Sequence, residues 1–391
     1  MNVSFVLASL SRNAGGLFES GRRLGQELHR LPDTHVSVIG LRDEFTAADA
    51  PLWDPLTVAP CTQRGPRILG WAPGHARALA RQYPDLVHQH GIWTLGSFET
   101  TRFCRAARLP LVVSMHGMIE PWALEHSRWK KRAAWLAYQA DNLRYASCIV
   151  VTSKAEASYV RDCKITTPIA VIPNGVDRLT KTTAAPAWQS VLGGQRRVLL
   201  FLGRLHPKKG VFELIQAWAR FIEGDPSRAQ DWSLVLTGWD DGGHHAKLRD
   251  LAHNLGLRPP SFHMTGPLFG PQRDAALSHA HGFILPSHGE GMPLAALEAL
   301  AIGVPPLLTD ACNLPQVAEA GAGLRIGPTA SEICEGIVQF SALTRDQHNS
   351  MAQQARRLAE GVFSWPNAAR DTSRIYAWLL GQGPRPVDLL V

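Results

Sequence analysis

A chain of 391 residues exceeds one ordinary domain and suits two of about 100–200 residues each. Its 45% hydrophobic and 19% charged residues exclude a disordered chain and supply a core that needs no disulfide staples. The net charge of +7 fits a basic surface or an anionic partner, and without zinc-finger spacing, a basic zipper or an RNA-binding aromatic signature, nucleic acid ranks last. Taken in order, the first half alternates short apolar runs with helical periodicity. Strands are expected at Val3–Ala8, Val36–Leu41, Leu86–His90, Leu111–His116, Cys148–Val151 and Ile169–Ile172. Helices fall near Phe18–Leu31, Ala76–Gln82, Ser97–Arg108, Trp129–Tyr145 and Lys154–Asp162. Residues from Leu179 to about Gly194 lack periodicity and read as a linker. The alternation then restarts, with strands at Val198–Leu202, Ser233–Thr237, Ser261–Met264, Gly282–Leu285, Pro305–Leu308 and Gly323–Ile326. Helices lie near Val211–Ile222, Ala246–Leu255, Gln272–His279, Pro293–Ala301, Ala330–Phe340 and Arg345–Gly361, and a last one at Asn367–Leu380 has no strand after it.

This is the pattern of two open parallel α/β sheets. The expected domains are 1–178, a linker at 179–196, 197–366, and a C-terminal helical segment at 367–391. Ligands of such sheets bind beyond the carboxyl ends of the strands, so an interdomain cleft is the expected site. Six scattered cysteines form no C-x-x-C and read as free thiols of a reducing compartment. The N-terminus reads as a strand, not a signal peptide, and no run approaches the roughly 18 apolar residues of a membrane span. The expected location is cytoplasmic.

Four segments can carry chemistry. Ser287-His288-Gly289-Glu290-Gly291-Met292-Pro293-Leu294 follows a buried strand and opens a helix, with Pro293 suited to the first helical position. Free N–H groups at that helix start can bind oxygens, and Glu290 and Glu298 can hold two ends of a polyhydroxylated ligand. Read alone, the pair suits a helix with solvated acids better than a ligand clamp. Gly203-Arg204-Leu205-His206-Pro207-Lys208-Lys209-Gly210 also sits at a strand–helix switch. Arg204 can fork phosphate oxygens and Lys209 adds a point charge. Alone, this segment is equally a solvated basic turn, and it is no Walker loop. Gly15 and Gly16 let backbone N–H groups approach a phosphate. His116 ends a strand, where it can meet a sugar hydroxyl or serve as a structural histidine.

Together these segments resemble the retaining glycosyltransferases of family 4. The resemblance spans nearly the whole chain and rests on Gly15-Gly16, on His116 through Pro121-Trp122-Ala123-Leu124, and on Pro173-Asn174-Gly175-Val176-Asp177. It also rests on Gly203-Arg204 with Lys208-Lys209-Gly210, and on Glu290 and Glu298 in the spacing E-x7-E. It implies the GT-B fold, with two facing Rossmann-like domains and the final helix crossing back to the first. It implies a nucleotide diphosphate sugar as co-substrate, either a UDP-sugar or of the GDP-mannose type, with no cofactor and no metal. The family's roles, carried to this chain, make His116 and Glu290 the residues at the reacting sugar. Gly16, next to Gly15, offers its N–H to phosphate. Arg204 and Lys209 grip the diphosphate, the backbone from Gly291 through Met292 and Pro293 to Leu294 lines sugar and phosphate, Glu298 holds the ribose, and Asn174 lies near the linker. The acceptor implied is a glycan or lipid-linked saccharide in surface polysaccharide assembly. Retention implies same-face attack, in which the departing phosphate takes the acceptor proton.

Other readings stand beside this one. A sugar-nucleotide epimerase or phosphorylase of similar fold would recruit further groups such as Glu120 and His90. A non-catalytic nucleotide-sugar binder would use the same pocket. His88 and His90 share one face of a strand, which permits a metal, yet no third ligand is evident. Trp122, Trp129, Lys130, Lys131, Arg132 and Trp135 read either as a peripheral membrane-binding face or as a packed helix with a solvated basic side.

Overall fold

The computed structural model describes residues 1–125, 128–193 and 196–390. Gly194 and Gln195 of the expected linker, His126 and Ser127, and Val391 lie outside the described residues. The chain divides into one unit made of Met1–Gly175 with Ser364–Val391 and another made of Val176–Phe363.

The first unit holds seven parallel strands: β1 Asn2–Leu7, β2 His35–Leu41, β3 Thr57–Cys61, β4 Leu86–His90, β5 Leu111–Ser114, β6 Cys148–Val151 and β7 Ile169–Val171, in the order β3-β2-β1-β4-β5-β6-β7. β4, β5 and β6 are buried end to end, as expected of strands covered on both faces. The sequence reading passes over β3. It is an edge strand with Pro60 inside it and only Cys61 buried, so it lacks the apolar run that marked the others. β5 stops at Ser114, two residues before the expected end, because His116 turns to φ 51°. The final helix, Trp365–Leu379, packs on the helix Gly16–His29 of the same unit. Beyond it, Leu390 pairs antiparallel with Ile169 through two 2.9 Å hydrogen bonds, and Arg161 donates to the Leu390 carbonyl at 2.9 Å. That contact covers the open edge of β7.

The second unit holds six parallel strands: β8 Arg197–Leu202, β9 Trp232–Thr237, β10 Phe262–Gly266, β11 Gly282–Leu285, β12 Pro306–Leu308 and β13 Leu324–Arg325, in the order β10-β9-β8-β11-β12-β13. The helix Val211–Gly224 buries Val211, Leu214, Ile215, Trp218 and Phe221, an i, i+3, i+4, i+7 stripe against this sheet's core. The segment 179–196, expected to be a linker, belongs to this unit. Trp188 and Leu192 are buried in its core around a short helix at Gln189–Leu192. Two anchors spaced by four residues are too sparse for a periodicity reading, which is why the segment looked unstructured.

Both sheets reverse their strand order once, between β1 and β4 and between β8 and β11. Loops at the carboxyl ends of strands flanking such a reversal diverge and leave room for a ligand.

Candidate active site

In the second unit the reversal is framed by the loop after β8 and the loop after β11. A short 3-10 turn, Pro207–Lys209, follows β8, with the His206 ring accepting the Lys208 N–H at 3.1 Å. Gly210 then adopts φ 66°, and a Cβ there would lie 2.0 Å from the Pro286 carbonyl oxygen. Only glycine admits both the turn and this approach of the two loops. The approach delivers Lys209 Nζ to Glu290 Oε1 at 2.5 Å, with both side chains largely buried.

Other contacts fix the same carboxylate. Ser287 Oγ donates to Glu290 Oε1 at 2.7 Å, and the Glu290 N–H donates to Ala311 O at 2.9 Å. Asn313 Nδ2 donates to the Glu290 carbonyl and to Gly291 O at 3.2 Å. Burial pushes the Glu290 carboxyl upward. The charge and hydrogen bond of Lys209, the Ser287 hydroxyl and the charge of Lys208 outweigh that push and hold it below its ordinary value. Glu290 is therefore an anion inside the fold.

Pro293 is not the first helical residue. It caps the helix with extended backbone (ψ 111°), and the helix runs Leu294–Ile302. A proline at this position still sets the chain's entry, and the first N–H groups behind it have no intrahelical partner. Met292 and Pro293 are buried, while Gly291 and Leu294 are part-exposed. Glu298, on the next turn of the helix, pairs with Arg273 of the helix Gly270–His279. Arg204 does not join the Lys209 pair. It is exposed, and its Nη1 meets Asp241 Oδ2 at 2.6 Å. Sequence reasoning missed Arg273 and Asp241, since each is marked only by a partner distant in the chain.

In the first unit, Gly15 (φ 57°) caps the helix Gly16–His29, so Gly16 opens that helix after the 3-10 turn Arg12–Ala14 that follows β1. His116 and Asn174 line one small cavity with Ser114, Thr152, Trp365 and Thr372. The turn carrying His116 is held by Glu156, whose carboxylate accepts the Gly117 N–H, the Thr152 N–H at 2.8 Å and the Thr152 hydroxyl at 3.0 Å. His116 Nε2 lies 3.1 Å from His90 Nδ1, a hydrogen-bond distance between the two rings. Burial pushes His116 down to about 4.

The expected helix Trp129–Tyr145 is divided. Helical turns at Arg128–Ala134 and Ala140–Tyr145 flank a π-helical stretch, Trp135–Gln139. The buried Gln139 accepts the Trp93 N–H at 2.9 Å and donates to Asn142 at 2.8 Å, and these inward bonds account for the wider turn.

The family described as "Glycosyltransferase Family 4" matches residues 14–178, and "Glycosyl transferases group 1" matches residues 186–358. The chain belongs to glycosyltransferase family 4. Among curated relatives, a D-inositol 3-phosphate glycosyltransferase of Kineococcus radiotolerans is 28% identical over 78% of this chain and 74% of its own. A GDP-mannose:cellobiosyl-diphosphopolyprenol alpha-mannosyltransferase of Xanthomonas campestris is 25% identical over 93% of both. Among solved structures, Anabaena HepE, crystallised with UDP and glucose, superposes with a TM-score of 0.75 at 19% identity, over 97% of this chain and 100% of that one. The fold of this glycosyltransferase is GT-B, built of two Rossmann-like units. Among its described residues, no helix is long and apolar enough to cross a membrane.

Proposed function

We propose that this family 4 enzyme transfers a sugar from a nucleotide diphosphate sugar to a saccharide acceptor, with retention and without a metal ion. The observation that carries the proposal is the buried Lys209–Glu290 pair at the strand reversal of the second unit. A carboxylate held ionised beside a cation is suited to accept hydrogen bonds from sugar hydroxyls. Lys209 and Arg204 are suited to a departing diphosphate, where charge grows in the transition state. In this reading residues 197–366 bind the donor: Glu290 takes the sugar, the backbone from Gly291 through Met292 and Pro293 to Leu294 lines it, and Glu298 takes the ribose. Gly16 beside Gly15 contributes an N–H to phosphate, and His116 and Asn174 serve the donor sugar. The departing phosphate accepts the acceptor's proton, so no side chain is required as base. HepE was solved with UDP, and the Xanthomonas relative is named for GDP-mannose, so UDP- and GDP-sugars are the donors to try.

Residues 1–178 would bind the acceptor. Trp93 adopts φ 77°, a strained conformation for a bulky residue, and is held there from several sides. Its indole N–H donates to Met118 O at 3.0 Å, Tyr138 donates to its carbonyl at 2.9 Å, and the Lys131 ammonium lies 5.7 Å from its ring centre. It lines a groove with Arg128, Lys131, Arg132 and Trp135, a lining suited to a saccharide that bears phosphate. The Xanthomonas relative is named for a diphosphopolyprenol acceptor, which fits a lipid-linked saccharide of surface polysaccharide assembly. Trp129 and Leu136, 73% and 77% exposed and seven residues apart beside Arg128, Lys130 and Arg132, would rest on an anionic membrane face.

The test is nucleotide release and product analysis with UDP- and GDP-sugars in EDTA. Wild type is expected to transfer with the anomeric configuration kept, and Lys209→Ala, Glu290→Ala and Arg204→Ala to lose that activity. Variants equal to wild type would overturn the site. A changed sugar nucleotide formed without acceptor would replace transfer by epimerisation. Co-sedimentation with anionic vesicles, weakened by Trp129→Ser with Leu136→Ser, tests the membrane face.

A further inference from the structure

The donor-site reading uses His116 but leaves unexplained a cluster of buried titratable groups behind it. Alternation along β4 points His88 and His90 to one face, and both are buried. Their rings stack with centroids 4.1 Å apart. His88 is fixed at both nitrogens, with Nδ1 at the Tyr376 hydroxyl (2.5 Å) and Nε2 at Ser114 Oγ (2.7 Å). His90 is gripped by that stack and by Phe5, whose ring centre lies 4.4 Å away. Its Nδ1 meets His116 Nε2 at 3.1 Å, and its own Nε2 is buried with no hydrogen-bond partner among the described residues.

Burial keeps all three imidazoles uncharged near neutrality: His116 is pushed down to about 4, His88 to about 3 and His90 well below its ordinary value. A neutral imidazole has one N–H and one bare nitrogen. One of the two facing nitrogens must therefore donate and the other accept. If His116 donated, the proton of His90 would sit on its buried, partnerless Nε2. A buried N–H without an acceptor is the rarer way to leave a polar atom. The alternative places the proton on His90 Nδ1, directed at a bare Nε2 of His116.

We propose that His90 is a positioning residue that fixes His116 as its Nδ1–H tautomer, leaving Nδ1–H as the ring's only donor to a donor-sugar oxygen, while Tyr376 and Ser114 seat His90 through His88. The proposal rests on the reading of His116 as a sugar contact. It makes a residue of the last helix part of the support of the first unit's site residue.

The experiment pairs tautomer measurement with kinetics on the full-length protein. Long-range ¹H–¹⁵N imidazole spectra, with His116 assigned from a His116→Gln sample, are expected to show His116 as Nδ1–H in wild type. His90→Asn keeps a donor near the Nδ1 position and is expected to keep both that tautomer and transfer. His90→Leu removes the donor, so His116 is expected to gain the Nε2–H form while kcat falls about tenfold, the scale of one hydrogen bond. KM for the donor is expected to move less. An Nε2–H His116 in wild type overturns the proposal even if His90→Leu fails to fold, as does a tautomer that His90→Leu leaves unchanged. A tautomer that shifts while transfer stays constant overturns the role of His116 in transfer but leaves the pairing with His90 standing. Transfer lost equally in His90→Asn and His90→Leu, with the tautomer kept in His90→Asn, shows mere structural support and overturns it too.

Discussion

The two strand reversals solve the same problem with opposite electrostatics. In the second unit the loops bury a carboxylate and keep it charged by placing Lys209 and Ser287 against it. In the first unit the end of β4 and the turn after β5 bury imidazoles and strip them of charge, and among the described residues no carboxylate hydrogen-bonds to His88, His90 or His116. One topology thus carries a buried ion pair in one unit and uncharged, hydrogen-bonding imidazoles in the other. What a Rossmann-like sheet fixes is the place of the site, and the residues at its strand ends and in its loops decide its charge.

The strongest way to break this comparison is to remove one half of the charged pair. Lys209→Met leaves Glu290 buried without its cation, which is expected to cost about 3–5 kcal/mol of second-unit stability and about 10²-fold or more in transfer. Urea denaturation and nucleotide release check it, and an unaffected variant would mean that the pair supports neither. Next is Gly210→Ala, which adds a Cβ against Pro286 O at φ 66°. Backbone strain and overpacking together are expected to cost on the order of 2–5 kcal/mol in the same denaturation experiment.

Acid sharpens the contrast. An imidazole pushed down on folding binds its proton more readily in the unfolded chain. Its contribution is whole above about 6.5 and drains as pH falls toward its folded value. Among the described residues the first unit carries four such groups, His75, His88, His90 and His116, against His281 and the less shifted His263 in the second. Each costs up to about 1.4 kcal/mol per pH unit across that window. Glu290, held down, stabilises above its ordinary value of 4.5 and loses that contribution only as pH falls through its lower folded value. Glu156, pushed up by burial, acts in the opposite sense but from the carboxylate range. Hydrogen exchange at pH 7.5 and 5.5 is expected to show the first unit loosening before the second. Simultaneous loosening would erase the distinction.

Smaller effects follow. Tyr376→Phe removes the hydroxyl at His88 Nδ1 and is expected to cost about 1 kcal/mol in denaturation. Asp241→Asn breaks an exposed pair with Arg204 and is expected to cost under about 1 kcal/mol, with little change in Tm.

The sequence carried the fold wherever strands were buried end to end. Runs such as Gly282–Leu285 announced themselves, whereas β3, half-exposed and holding Pro60, did not. Glu290, Lys209 and the glycines lie at strand–helix switches, which periodicity locates well. Their contacts were a different matter. Lys209 and Glu290 could each be assigned to a ligand from their own segments, yet their mutual ion pair depends on Gly210 letting two loops touch. Arg273 beside Glu298 and Tyr376 beside His88 have no local signal, because nothing in a helix pattern says which tertiary neighbour a side chain meets.

The division of the first unit between both ends of the chain also sets an order of events during synthesis. Tyr376 reaches His88 across 288 positions of sequence. While the ribosome is still translating, the opening 175 residues lack the helix that covers them and the tail that closes the β7 edge. The second unit is one uninterrupted stretch, 176–363, and emerges whole before that helix exists. The portion made first is thus the last to be completed, and until the final helix is made its sheet edge and the helix face that it packs against stay uncovered.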